Sequence, residues 1–204
     1  LRAETGLPLS SYFAGTKVKW LLDNVPTLRK ALETDPTTVC FGTVDTWLIY
    51  QITGQPATST FANTAYHCQG TVTTDVTNAS RWLFLNLATQ QWDANLVNHV
   101  CAPHNVPLSV LPTVGPSSRR FGTCCPVYAS TTDNDDTFTI AMLRDVPIAA
   151  VLGDQQAALF GQTAFSPGQA KNTYGTGLFL MYVLCRLYYL RIAFDALRNC
   201  VHVR

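Results

Sequence analysis

The chain has 204 residues, of which 47% are hydrophobic and 13% are charged, and its formal net charge is +1. This length suits one domain, or one domain with part of another, and the apolar content excludes a chain that is disordered by composition. The nearly neutral charge excludes the basic field expected of a nucleic-acid-binding protein and favours a protein that handles small molecules.

The first predicted helix spans residues 12–22, where apolar side chains recur at helical spacing, with Ser10 or Ser11 as its N-cap. A second short helix is predicted over 27–33. The stretch 38–41 is predicted to be a short strand.

A third helix is predicted after Gly42, with Gly54 in the position of a C-terminal cap glycine. One face of this helix is predicted to carry Val44, Trp47, Leu48 and Gln51. The polar stretch 55–74 is predicted to be a loop or a short hairpin, and 103–136 to be rich in loops.

The clearest strand signal is the fully apolar run over 147–152, which is consistent with a buried strand. Gly153-Asp154 should turn this strand into a helix over 155–161. Two further strands are predicted over 170–173 and 178–183, joined by a turn. Strands that alternate with helices and end in a hairpin predict an α/β fold.

The seven cysteines have an odd count and irregular spacing, which fits neither a disulfide framework nor a zinc site. We therefore expect free thiols in a reducing compartment, and so a cytoplasmic protein. The four histidines lack the spacing of metal ligands. The apolar run over 182–190 is broken by Arg186, so it is too short and too charged to span a bilayer.

Asp154 is the first candidate for chemistry. The apolar run before it would deliver Asp154 to the carboxyl end of a strand, where open α/β sheets place their ligands. A carboxylate there can accept a proton from a substrate hydroxyl. The alternative is that Asp154 only caps the helix that follows, because Asp is a preferred N-cap residue.

A glycine-flanked threonine and an aromatic residue are the other candidates. Gly175 and Gly177 would let backbone N–H groups and the Thr176 hydroxyl approach phosphate oxygens, although a plain turn also uses glycines in this way. The phenol of Tyr12 could bind a polyol, but an aromatic residue at a helix start also serves as a core or staple residue.

Five segments occur in an order that raises a specific resemblance: TGLPLSSYFAGTKVKWLLDN, FGTVDTWLIYQITG, TDVTNASR, LGDQQAALFGQ and KNTYGTGLFL. They resemble consecutive signature segments of glycerol kinases, which belong to the FGGY carbohydrate kinase family in the actin-like ATPase superfamily. The resemblance spans roughly residues 3–181. It implies an actin-like ATPase (ribonuclease H-like) fold and phosphorylation of glycerol to glycerol 3-phosphate with ATP.

The resemblance implies a role for each matching residue on the acceptor side. Asp154 would be the base that takes the proton of the glycerol hydroxyl, and it would also face Mg²⁺ through water. Gln155 would hydrogen-bond a glycerol hydroxyl. Tyr12 would contact glycerol, and Phe179 would cover its carbon backbone.

On the nucleotide side, Thr176 would contact the ATP phosphates, with Gly175 and Gly177 allowing the close approach. The implied cofactors are ATP and Mg²⁺, and the implied partners are glycerol and ATP, without nucleic acid or a membrane span. The resemblance also allows a homo-oligomeric parent enzyme.

Residues 1–163 would form the later part of the first domain of this fold, and 164–181 would begin the second. Residues 182–204 do not resemble the family and are expected to be a foreign tail. The first phosphate loop and an Arg-Glu pair that grips glycerol would precede residue 1, and the adenine pocket would follow residue 181. We therefore expect little activity from this chain alone.

Three alternatives stay open. The parent could phosphorylate another polyol or sugar, although Tyr12 and Phe179 favour a small acceptor. It could be a non-catalytic binding protein on the same fold, although Asp154 is retained. It could also be a truncated product without function, which the tail over 182–204 favours.

Overall fold

The computed structural model describes residues 1–53, 70–124, 143, 145–175 and 177–183. The helices in this part are α1 (Arg2–Thr5), α2 (Ala14–Asn24), α3 (Pro26–Thr34), α4 (Val44–Thr53), α5 (Val76–Ala79), α6 (Ala94–Cys101) and α7 (Asp154–Gly161). The strands are β1 (Thr73–Asp75), β2 (Leu85–Asn86), β3 (Gln91–Trp92), β4 (Thr113–Gly115), β5 (Ser118–Thr123), β6 (Pro147–Ala150), β7 (Ala170–Tyr174) and β8 (Leu178–Tyr182). Short 3-10 turns occur at Pro36–Thr38 and Leu108–Val110.

The strands pair two by two within the described residues. β1 and β4 are parallel, whereas β2–β3, β5–β6 and β7–β8 are antiparallel. The mixture of helices and strands confirms the predicted α/β class. The predicted helices over 27–33 and 155–161 are confirmed as α3 and α7, and the predicted terminal hairpin is confirmed as β7–β8.

Several predictions fall outside the described residues. These are the cap glycine Gly54, most of the polar stretch over 55–74, part of the loop-rich stretch over 103–136, the nucleotide-side residue Thr176, and the tail from residue 184 onward. In the part of the chain that is described, no helix is both long enough and apolar enough to span a membrane.

Helix α2 begins at Ala14, so the prediction that Tyr12 lies inside it, with a serine cap, is wrong. Its N-cap is Phe13, which makes no side-chain cap bond. The N–H groups of Ala14 and Gly15 instead donate to the carbonyl oxygens of Arg81 and Trp82, at 3.3 and 2.9 Å. A tertiary partner thus satisfies the helix terminus that a serine would otherwise cap.

Gly15 allows this close approach between α2 and the segment after α5. A Cβ atom at position 15 would lie 2.3 Å from the Trp82 carbonyl oxygen and 2.6 Å from the Phe84 ring. Gly15→Ala should therefore lower the free energy of unfolding by about 1–3 kcal/mol, as overpacking typically does.

Gly161→Ala is the matched control, because a Cβ there would meet no atom within 4 Å. Urea denaturation of both variants, followed by circular dichroism, measures the difference. Equal midpoints for Gly15→Ala and Gly161→Ala would contradict the close contact.

The predicted strand over 38–41 is wrong. The carboxylate of Asp35 accepts a hydrogen bond from the Thr37 N–H at 3.0 Å and caps a 3-10 turn that starts at Pro36. After this turn, the Phe41 N–H donates a hydrogen bond to the Val110 carbonyl at 2.9 Å. A single backbone hydrogen bond does not make a strand ladder.

Helix α4 is confirmed, but the predicted face is not the buried one. Its buried residues are Thr46, Ile49 and Thr53, while Val44, Trp47 and Leu48 are exposed. The carboxylate of Asp45 sets this rotation, because it accepts hydrogen bonds from the hydroxyl groups of Thr43 and Thr74, both at 2.6 Å.

The apolar run over 147–152 does form a strand, β6, but the prediction that it is buried is wrong. Three of its four residues are exposed. Within the described residues β6 pairs with β5 alone. An apolar run becomes a buried strand only when other elements cover both of its faces.

The main core joins α2, α3 and α6 to the segment 82–84. Its largest fully buried side chains are Trp82 and Phe84, whose ring centroids are 6.0 Å apart. Trp92 packs against Trp82 with a centroid distance of 5.4 Å. This core holds residue 81 and the start of α2 in fixed relation, which positions one wall of the cavity described below.

Candidate functional site

A cavity of about 300 Å³ lies where the start of α2, the end of α5, the start of α7 and strand β8 meet. The described residues that line it are Tyr12, Ala14, Lys17, Thr43, Asn78, Arg81, Gly153, Asp154, Gln155, Gln156, Phe179 and Met181. Its size suits a small molecule of a few heavy atoms and leaves room for part of a second ligand.

The structure brings together all four residues predicted on the acceptor side. Tyr12, Asp154, Gln155 and Phe179 are far apart in the sequence, yet each lines this cavity. Tyr12 is 60% exposed and lies in the turn before α2, so its phenol is accessible rather than packed in the core.

Asp154 is exposed and is the first residue of α7. The N-cap of that helix is Gly153, so the alternative in which Asp154 serves as the cap does not describe this helix. One carboxylate oxygen accepts a hydrogen bond from the Gln155 N–H at 2.7 Å. The other oxygen is free, among the described residues, to accept a proton from a ligand hydroxyl.

A buried hydrogen-bond chain holds the backbone in front of Asp154. The Gly153 N–H donates to the Thr77 hydroxyl at 2.8 Å, and that hydroxyl donates to the Asp75 carboxylate at 2.6 Å. Asp75 is fully buried, caps α5, and also accepts a hydrogen bond from the Ser117 hydroxyl at 2.5 Å. The end of β1 is therefore tied directly to the loop that carries the candidate base.

Thr77→Val should break this chain, because valine has a similar shape but cannot accept the Gly153 N–H or donate to Asp75. We expect the free energy of unfolding to fall by about 1–3 kcal/mol, the usual cost of buried polar groups that lose a partner. The Gly153 amide should exchange with solvent faster.

Thr77→Ser keeps the hydroxyl, so it is the matched control and should lose less than Thr77→Val. Amide hydrogen exchange at Gly153 measures both variants. If Thr77→Val leaves the exchange rate of Gly153 unchanged, this hydrogen bond does not hold the loop.

A buried lysine fixes the orientation of Gln155. Lys171 is only 2% exposed, and its ammonium group donates to Gln155 Oε1 and to the Thr173 hydroxyl. Because an ammonium group can only donate, the amide oxygen of Gln155 must face it. The amide NH₂ group is then the end of Gln155 left to donate to a ligand oxygen.

The pKa of Lys171 is affected both by its burial and by a neighbouring charge. Burial lowers the pKa of Lys171, and the nearby carboxylate of Asp154 partly opposes that shift. Lys171 lies in the KNTYGTGLFL segment but is not among the residues predicted for the site. The available signal was a charged residue in the middle of a predicted strand.

The glycine turn shows one clear structural role. A Cβ at Gly177 would lie 2.7 Å from the Phe179 ring, so the glycine lets this ring fold back toward the cavity. The Gly175 N–H donates to the Gly177 carbonyl at 3.1 Å. Neither glycine is among the described lining residues of the cavity. The predicted phosphate contacts of Gly175, Thr176 and Gly177 therefore stay predictions.

Two cationic residues that the sequence analysis did not single out also line the cavity. Arg81 follows α5 and is half-buried, and Lys17 lies on the exposed side of α2. Burial lowers the pKa of the Arg81 guanidinium, and the nearby Tyr12 and Asp154 raise it. The cavity therefore combines one carboxylate with two cations.

Mg²⁺ usually binds through one or two carboxylates, phosphate oxygens and water. The exposed carboxylate of Asp154 fits this ligand set. In the described part of the chain, no group of three or more His, Cys, Asp or Glu residues forms a ready-made metal site. An ion here would thus need the phosphates of a nucleotide as further ligands.

The N-terminal domain model of the FGGY family of carbohydrate kinases matches residues 1–161. Glycerol kinase 1 of Streptomyces avermitilis is 46% identical over 180 residues, which is 88% of this chain and 30% of that protein. Glycerol kinase of Nocardia farcinica is 42% identical over 177 residues, covering 87% of this chain and 28% of that protein.

Among solved structures, Plasmodium falciparum glycerol kinase with ADP has a TM-score of 0.67 and 32% identity, covering 89% of this chain and 30% of that one. Xylulose kinase from Lactobacillus acidophilus has a TM-score of 0.61 at 17% identity, with the same coverage, and so shows the fold alone. These neighbours confirm the predicted actin-like fold. The chain spans about 30% of the length of these relatives.

Proposed function

The chain belongs to the FGGY family of carbohydrate kinases, and from this premise we propose that its cavity is the acceptor side of a glycerol kinase active site. One observation carries the proposal: Tyr12, Asp154, Gln155 and Phe179 line one cavity of about 300 Å³. Because the chain spans about 30% of its relatives' length, we assign turnover to a polypeptide of their length that contains this chain.

In this proposal, glycerol lies against the Phe179 ring with its hydroxyl groups toward the polar wall. The NH₂ group of Gln155, oriented by Lys171, donates to one hydroxyl oxygen. The Tyr12 phenol hydrogen-bonds another. A third hydroxyl donates to the free carboxylate oxygen of Asp154. Three polar groups around one apolar ring match a three-carbon polyol better than a long sugar chain.

Asp154 then acts as the general base. The hydroxyl oxygen forms a bond to the γ-phosphorus of ATP, the bond from that phosphorus to the bridging oxygen breaks, and ADP leaves with the electron pair. The hydroxyl proton passes to Asp154. Phosphoryl transfer has a loose transition state, so positioning and charge neutralisation supply most of the catalysis.

ATP and Mg²⁺ belong to the same proposal. Asp154 would hold the ion through water, and the ion would neutralise phosphate charge when bound. Gly175, Thr176 and Gly177 would contact the phosphates. We also propose that residues 1–163 belong to the N-terminal domain and 164–181 begin the C-terminal domain, so that Asp154 and Phe179 face the cleft from different domains.

The proposal is tested in a chimera in which this chain replaces the aligned 180-residue stretch of the Streptomyces avermitilis glycerol kinase 1. ADP release would be measured with glycerol, xylulose and gluconate, separately and in competition. We expect glycerol to give the highest kcat/KM. A higher kcat/KM with xylulose or gluconate would assign the cavity to another acceptor.

The 204-residue chain alone is the matched control, because it tests whether turnover requires a longer polypeptide. We expect it to release no ADP above the background rate. Glycerol-dependent turnover by the isolated chain would show that no further segment is required.

A further inference from the structure

Arg81 has an unusual environment for a cation in the described part of the chain. Its guanidinium carbon lies 4.8 Å from the centre of the Phe13 ring, and the residue is half-buried at the wall of the cavity. Its main chain is fixed as well, since its N–H donates to Asn78 at 3.0 Å and its carbonyl accepts from Ala14 at 3.3 Å. The position of the guanidinium is thus set by packing before any ligand binds.

The guanidinium makes no hydrogen bond or ion pair to any described residue. Arg119 is the informative contrast, because its guanidinium also lies over an aromatic ring, that of Phe121, but donates to the Thr73 hydroxyl. A guanidinium has five N–H donors and no acceptor, so its missing partner must be an acceptor and is best an anion. Asp154 attracts Arg81 but does not form a salt bridge with it, which leaves the donors free.

The charges around the cavity favour phosphate over a carboxylate ligand. Asp154 is the single carboxylate among the described lining residues, whereas Arg81 and Lys17 are both cationic. A phosphoryl group carries more charge than a carboxylate and offers three oxygens to a guanidinium fork. In a loose transition state the negative charge is spread over those three oxygens. Two N–H groups of the guanidinium, already in position, would lower the energy of that transition state.

We propose that Arg81, held over the Phe13 ring, binds the phosphoryl group as it passes to the acceptor hydroxyl and then holds the phosphate of the product. This inference rests on the proposed function and adds a residue to it. Arg81 neither gains nor loses a proton in the step. The acceptor oxygen gains the bond to phosphorus, ADP leaves with the electron pair, and the hydroxyl proton goes to Asp154.

The test uses the chimera in which this chain replaces the aligned 180-residue stretch of the relative, and two probes, glycerol and sn-glycerol 3-phosphate. The chimera without further substitutions serves as the wild type. Titration calorimetry gives Kd for each probe with the wild type, Arg81→Gln, Arg81→Lys and the control Arg29→Gln. Arg29 lies on α3 outside the cavity lining, and its replacement removes the same charge. Circular dichroism melting of each variant shows whether it is folded.

We expect Arg81→Gln to weaken binding of sn-glycerol 3-phosphate about tenfold or more, the effect of losing charge-assisted hydrogen bonds, with the Kd of glycerol changed less than about twofold. Arg81→Lys keeps the positive charge but lacks the paired N–H donors of the guanidinium. Its Kd for sn-glycerol 3-phosphate should lie between those of the wild type and Arg81→Gln. This variant also serves as the readout if Arg81→Gln does not fold. Arg29→Gln should bind both probes as the wild type does.

Two results would overturn the inference and are distinguishable. If Arg81→Gln and Arg81→Lys bind the phosphate ester as tightly as the wild type while glycerol still binds, Arg81 does not hold the phosphate and the acceptor site stands. If the wild-type chimera binds neither probe, the acceptor site is absent, and the proposed function fails together with the inference.

Discussion

Asp154→Asn should lower the glycerol-dependent turnover of the chimera by about 10²–10⁴-fold, which is the usual contribution of a positioned general base. Asparagine has nearly the same shape as aspartate, and its side-chain oxygen can still accept a hydrogen bond from the Gln155 N–H. The substitution should therefore leave helix α7 undisturbed. What the variant loses is the negatively charged oxygen that takes the hydroxyl proton. ADP release at saturating glycerol and ATP measures the loss.

The change should appear in kcat, because the amide can still hydrogen-bond glycerol in the ground state. Gln156→Glu is not a suitable control, since Gln156 lines the cavity as well. Asp35→Asn is suitable, because Asp35 only caps the Pro36–Thr38 turn and lies outside the cavity lining. A kcat for Asp154→Asn within about threefold of that of Asp35→Asn would exclude Asp154 as the base, given the size of the effect expected from a base.

Trp82→Ala should lower the free energy of unfolding by about 3–5 kcal/mol, because it removes a large side chain from the centre of the core. Trp82 is 1% exposed and packs against Phe84 and Trp92. A loss of this size is a large fraction of the total stability of an ordinary domain. Urea denaturation followed by far-ultraviolet circular dichroism measures it.

Trp82→Phe is the matched control. The indole N–H of Trp82 is buried and has no hydrogen-bond partner among the described residues, so phenylalanine keeps an aromatic ring and removes an unsatisfied donor. We expect it to lose less than half of what Trp82→Ala loses. Equal losses for the two variants would show that the indole N–H is paired, or that ring packing contributes little.

It was predictable that one cavity brings together Tyr12, Asp154, Gln155 and Phe179. Each of these residues belongs to a sequence motif, and the order of the motifs indicated the family and therefore its fold. The positions of α3, α7 and the terminal hairpin were predictable from local signals: a proline at a helix start, a glycine before an acidic residue, and a glycine-containing turn between two short strand-like segments.

The cationic side of the site was not predictable in the same way. Arg81 and Lys171 are residue types that normally lie in solvent, and their importance comes from packing. The Phe13 ring holds the first, and the fold buries the second against Gln155. No local pattern in the sequence reports a contact between residues 13 and 81 or between 155 and 171.

The wrong predictions have a common physical cause, which is that tertiary contacts replaced the local ones. The start of α2 is satisfied by the carbonyls of Arg81 and Trp82 rather than by a serine. The rotation of α4 follows the hydrogen bonds of Asp45 rather than its apolar stripe. Strand β6 is apolar but exposed, because burial depends on what covers a strand and not on its composition.

The most direct test of the central claim is to identify the product of the chimera by ³¹P NMR after incubation with ATP, Mg²⁺ and glycerol. We expect a phosphate monoester resonance that matches sn-glycerol 3-phosphate and grows in step with ADP, and that is absent from the Asp154→Asn chimera. ATP consumption that yields only inorganic phosphate, or a monoester formed equally well without Asp154, would contradict the claim that this chain supplies the acceptor side of a glycerol kinase.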